Sequence, residues 1–90
     1  MAGTFTLDII TPSEKFYSGE VEHVICKTQQ GYEGFMADHT WTCKLLDAGT
    51  IRFREKGSSE NEWKRASSVG GFLDVKDSIL IYADAIEWEA

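Results

Sequence analysis

Hydrophobic and polar positions alternate along most of this chain with a period of two, the mark of strands that bury one face. From Thr4 onward, Phe5, Leu7 and Ile9 share one parity while Thr4, Thr6 and Asp8 share the other. Thr11-Pro12-Ser13-Glu14 stops that strand, because proline donates no ladder hydrogen bond and favours a turn. Residues 15–20 read as a short strand ending in a glycine bend at Gly19, and residues 21–27 as the next, with Glu22, Val24 and Cys26 pointing the same way. Residues 42–46 are compatible with a strand, with Cys43 and Leu45 on one face, or with a single helical turn. Residues 50–55 alternate clearly, with Ile51 and Phe53 inward and Arg52 and Arg54 outward. A polar hairpin tip at 56–61 returns the chain through 62–68, which carries Trp63, Lys64 and Arg65. Gly70-Gly71 predicts a bulge or a sharp bend between sheets. Ile79-Leu80-Ile81-Tyr82-Ala83 is a continuous apolar run, as expected of a strand covered on both faces, and the acidic tail 84–90 carries Trp88. No segment sustains a 3.6-residue period over helical length. Many short strands with frequent turn signals predict an all-β sandwich or barrel.

Composition narrows the function classes more than the fold. Ninety residues with 42% apolar and 12% aromatic content make one small globular domain spanning 1–90. A formal net charge of −6 argues against general binding to nucleic acid or to an anionic membrane surface. No apolar run approaches the roughly 18 residues needed to cross a bilayer, so the chain is expected to be soluble by itself and to reach a membrane only through a partner. Its two cysteines, Cys26 and Cys43, read better as buried free thiols than as a disulfide, since no cysteine framework accompanies them. Arg52, Arg54, Lys64 and Arg65 fall on strands that the 56–61 turn would pair, and are expected to form solvated ion pairs with Glu55, Glu60 and Glu62.

The stretch that departs from scaffold is Gly31-Tyr32-Glu33-Gly34-Phe35-Met36-Ala37-Asp38-His39-Thr40-Trp41-Thr42. Glycines three apart suggest positive φ or a close backbone approach. Asp38-His39 is the one tempting acid–base pair, but neighbours in an extended strand point to opposite faces and would not orient each other. His39 is therefore expected to close a turn by hydrogen bonding, and no catalytic residue is assigned. Cys26, His39 and Cys43 lack the paired spacing of a metal site, and Gly31-x-x-Gly34 lacks the lysine and helix of a phosphate loop. No metal or cofactor is assigned. Tyr32, Phe35, Met36 and Trp41 are core or interface anchors, a choice that composition leaves open.

Six ordered segments resemble the N-terminal β-sandwich domain of the epsilon subunit of F-type ATP synthases, the subunit called delta in mitochondria. They are residues 6–12, residues 16–22, Gly31 to His39, Ala48 to Arg52, Ser68 to Val75 and Ile79 to Asp84. Ala37-Asp38 stands where that family usually has Pro-Gly, Trp41 where it usually has proline, and Tyr32 where glutamate is frequent. The resemblance implies a flattened antiparallel sandwich of about ten short strands in two sheets. It implies a non-catalytic rotor subunit that couples gamma to the c-ring, at the cytoplasmic face of the plasma membrane in a bacterium. Gln30, Gly31, Tyr32 and Glu33 would meet the c-ring; Thr11, His39, Thr40, Trp41 and Lys44 would face gamma. The family's inhibitory C-terminal helical hairpin has no counterpart in these 90 residues. The competing reading is a small acidic sandwich that binds a ligand such as carbohydrate through exposed Trp41, Trp63 or Trp88 lined up on one face.

Overall fold

The computed structural model describes residues 3–89. Nine strands follow in order: β1 (Phe5–Ile10), β2 (Lys15–Thr28), β3 (Gly31–Phe35), β4 (Thr42–Leu46), β5 (Gly49–Glu55), β6 (Lys64–Ser68), β7 (Gly71–Val75), β8 (Ile79–Ala83) and β9 (Ile86–Trp88). The described residues contain no helix. The hydrogen-bonded path runs β1-β8-β7-β4-β2-β5-β6-β9, with β3 added to β2 and a further β1–β2 pairing. All pairings are antiparallel except β1 with β8. Extents of 33 × 30 × 24 Å make the sandwich only mildly flattened.

The count is nine because the two strands expected at 15–20 and 21–27 are one. β2 is 14 residues long and serves both layers, pairing with β1 in its first half, β3 in its second and β5 between. Gly19 does not bend it. A Cβ there would lie 2.6 Å from the Tyr17 hydroxyl, so the glycine clears room for a ring that reaches Glu55. The bend comes instead at Glu22, where the β2–β5 register slips between Val21 and His23. That bulge lets Val21 and Val24 both point inward, and both are fully buried.

Inward positions of β1, β2, β5, β7 and β8 build one apolar core from Phe5, Leu7, Ile9, Val21, Val24, Ile51, Phe53, Leu73, Val75, Ile79 and Ile81, with Phe35 joining from β3. Two expectations fail against it. In β4 the inward parity belongs to Thr42, Lys44 and Leu46, so Cys43 and Leu45 face outward and Leu45 is 65% exposed. Cys43 is accordingly an exposed thiol and only Cys26 a buried one, its proton held on up to about 12 by burial. In β8 only Ile79, Ile81 and Ala83 are buried; Leu80 and Tyr82 sit half-buried on the outer face. The apolar run thus signals two apolar faces of which the fold covers one.

Candidate interaction site

Gly31 and Gly34 do two different jobs. Gly31 takes φ 104° and turns the chain from β2 into β3. Gly34 has no positive φ; a Cβ there would meet His23 Nε2 at 2.6 Å, so it provides the close approach. Between them Tyr32 and Glu33 point to opposite faces. Tyr32 is 57% exposed on the outer face, its hydroxyl accepting the Thr50 N–H at 3.3 Å and its ring lying 5.9 Å from Lys27 Nζ. Glu33 shares the inward parity of Phe35, at the mouth of the sandwich. Its carboxylate accepts the Lys44 ammonium at 2.7 Å and the Thr28 hydroxyl. Two residues expected to meet different partners are therefore bonded to each other.

That ion pair ties β3 to β4, two strands with no backbone pairing. The Lys44 bond, then the Thr28 bond, hold the Glu33 carboxyl below its ordinary 4.5. Because the folded value is the depressed one, the stability linked to Glu33 is complete above the unfolded value and is lost as pH falls through the folded one. A carbon-detected NMR titration should therefore put Glu33 below 4.5, and Lys44→Met should move it upward. An unchanged midpoint would mean that the pair does not form in solution.

The loop 36–41 carries the other predicted contacts. His39 N–H donates to Met36 O at 3.3 Å, closing a turn with Ala37 and Asp38 at its centre, and His39 Nδ1–H donates to Thr40 O at 2.8 Å. The imidazole rests 5.0 Å from the Phe35 ring and serves the turn. Asp38 has φ 67°, the left-handed conformation that the Pro-Gly of the resembling family would enter without strain. Asp tolerates this region where a β-branched residue does not. Asp38→Val is expected to lose about 1–2 kcal/mol in urea unfolding, and Asp38→Gly to lose nothing. Thr40 follows the turn, and Trp41, 63% exposed, borders a cleft of about 310 Å³ with Phe5, Val75 and Ile79.

Thr11 lies elsewhere. It follows Ile10, which pairs with Tyr82, whereas the Trp41 loop lies by Phe5 and Ile79 at the other end of β1 and β8. At the Thr11 end an outer row crosses the sheet that the sequence pattern did not reveal. Leu45 pairs with Phe72, Phe72 with Tyr82 and Tyr82 with Ile10. Phe72 and Tyr82 stack at 5.4 Å, and Phe72 is 37% exposed. The signal available was the unbroken run at 79–83, whose second apolar parity needs a second cover.

This β-sandwich now meets its relatives. The sequence matches the family described as ATP synthase, Delta/Epsilon chain, beta-sandwich domain, over residues 4–89. The chain belongs to that family. It is 39% identical to the ATP synthase epsilon chain of Caldanaerobacter subterraneus subsp. tengcongensis over 98% of its own length and 62% of that relative's. The corresponding protein of Alkaliphilus metalliredigens is 36% identical over 98% of this chain and 63% of its own. The delta/epsilon-type sandwich thus spans about three-fifths of the curated relatives it matches. Its fold superposes on a chain in the cryo-EM structure of the Euglena gracilis mitochondrial ATP synthase OSCP/F1/c-ring assembly. There the TM-score is 0.85 at 20% identity, covering 94% of this chain and 53% of that one. A chain of the Tetrahymena thermophila mitochondrial ATP synthase central stalk/c-ring gives 0.78 at 14% identity, covering 94% and 66%.

The tryptophans do not line up as a sugar-binding face requires. Trp88, 47% exposed, is the register partner of Ala66 on the edge strand β9 and packs its ring 4.5 Å from Phe16 and 6.1 Å from Phe53 at the rim of the core. Trp63 lies with the outward Arg52 and Arg54, and Trp41 lies in the 36–41 loop. Three tryptophans in three settings leave that reading without its geometry.

Proposed function

We propose that this chain is a non-catalytic central-stalk subunit of an F-type ATP synthase, coupling the gamma subunit to the c-ring and turning with them in ion-driven ATP synthesis. The observation that carries the reading is family membership across residues 4–89. The mechanism is mechanical. A sandwich in which β2 threads both layers resists shear between them, and torque needs that stiffness more than it needs a pocket.

In this proposal Gln30, Gly31 and Tyr32 meet the polar loops of the ring, while Glu33 braces the turn from inside through Lys44. Gamma covers the outer row Leu45, Phe72 and Tyr82 with Thr11 beside it, and His39, Thr40 and Trp41 at the opposite end of these strands. An apolar row bordered by polar turns is the anatomy of a lasting interface. The chain reaches the membrane through these partners, at the cytoplasmic face of the plasma membrane in a bacterium.

Purified gamma and c-ring should each retain the chain at micromolar concentration. Leu45→Glu, at a position the fold leaves exposed, should weaken gamma retention about 30-fold, the effect of losing an interface anchor worth about 2 kcal/mol. Retention by neither partner would overturn the proposal.

A further inference from the structure

The outer face of β2, β3, β5 and β6 is basic in a chain whose net charge is −6. Lys27, Arg52, Arg54 and Arg65 gather there, and of the pairs expected between Arg52, Arg54, Lys64 or Arg65 and Glu55, Glu60 or Glu62 only Lys64–Glu55 forms among the described residues. Lys64 reaches Glu55 at 3.7 Å and Arg54 takes Glu22 at 3.2 Å, but Arg52 and Arg65 make no ion pair among the described residues. These two are direct cross-strand partners on β5 and β6. Like charges placed opposite in an antiparallel pair destabilise it. Of the nearby carboxylates, Glu89 accepts the hydroxyls of Thr50 and Ser67 and feels the Arg65 charge without an ion pair to it, and Glu55 also accepts the Tyr17 hydroxyl.

Aromatic surroundings hold the Arg52 and Arg54 guanidiniums in place. Trp63 lies 5.3 Å from the Arg52 guanidinium and 5.4 Å from that of Arg54, with His23 edge-on to its ring. Tyr32 and Thr50 complete a cleft of about 220 Å³ with Arg52 and Arg65. Two forked donors over aromatic surface match planar carboxylates.

We propose that this face docks an acidic protein segment, with one of its carboxylates seated between Arg52 and Arg65 and its side-chain stems against Trp63, which leaves the exposed outer side of Tyr32 to the ring. The face extends over four strands, about 15 Å at ordinary strand spacing, which suits an extended segment better than a lone anion. This surface is separate from the apolar row assigned to gamma and does not depend on it.

The test is fluorescence anisotropy of a labelled hexaglutamate peptide against the full chain, with Arg65→Glu beside wild type. Wild type should bind at low salt and release the peptide in 1 M salt. Arg65→Glu should weaken binding at least tenfold. It should leave the melting temperature within about 2 °C of wild type, because the attraction gained toward Arg52 is offset by repulsion from Glu89. Binding lost together with thermal stability would indicate a damaged fold and would count against the proposal. So would peptide binding indifferent to Arg65→Glu, no binding at all, or competition by inorganic phosphate as strong as by unlabelled peptide, which would mark a small-anion site instead.

Discussion

Gly71→Ala is expected to cost the domain about 3–5 kcal/mol, a large share of the total stability of a domain this size. Gly71 opens β7 with φ 154°, directly after Gly70 at 118°, so the chain swings from one layer into the other over two residues. An alanine Cβ at 71 would stand 1.8 Å from the carbonyl oxygen of Tyr82. That oxygen is backbone, in a strand paired with β7 through Gly71 and Ala83, so relief requires parting two strands. Gly34 is the contrasting case, because its added Cβ would meet only the end of the His23 side chain. Gly34→Ala should cost about 1 kcal/mol as the imidazole swings aside. Urea unfolding of both variants checks the pair, and a Gly71→Ala loss below that of Gly34→Ala would contradict this β7–β8 approach.

Phe53→Ala carries the second large effect, a loss of about 3–5 kcal/mol from removing a fully buried aromatic side chain. Phe53 packs 4.4 Å from the Tyr17 ring and 6.1 Å from Trp88, so its loss opens a cavity where β2, β5 and β9 converge. Tyr17 cannot easily fill it. Its hydroxyl donates to Glu55 at 2.6 Å, and burial, reinforced by that carboxylate, raises its affinity for the proton. Phe72→Ala is the matched control on the outer row and should cost under about 1 kcal/mol. Equal losses at 53 and 72 would contradict the division into a core face and a contact face.

The fold was legible wherever a strand buries one face and turns its other face to water. Phe5, Leu7 and Ile9, and Ile51 against Arg52, state the register without help from tertiary structure. It was illegible where both faces are apolar or the strand is short. Leu45 and Leu46 are adjacent and equally apolar, so five residues of β4 hold no internal reason to bury one over the other; the register with β7 decides. The continuity of β2 through Gly19 was hidden for a related reason: a glycine required for a tyrosine ring to pass looks like a glycine required for a bend. At the candidate site, Tyr32 and Glu33 share one expected contact, yet they point to opposite faces, and the Glu33–Lys44 bond joins strands with no backbone pairing. No local spacing announces such a contact. The Asp38 turn was the reverse case, readable because Ala37-Asp38 replaces a dipeptide whose turn geometry is known.

The central claim is that the β2–β3 turn and the loop that carries Trp41 face two different rotor components. Photocrosslinking tests it directly, with benzoylphenylalanine placed singly at Tyr32 and at Trp41 in the assembled synthase. The account predicts adducts from position 32 to the c-ring subunit and from position 41 to gamma. Adducts to neither subunit, or the two positions exchanging partners, would contradict it.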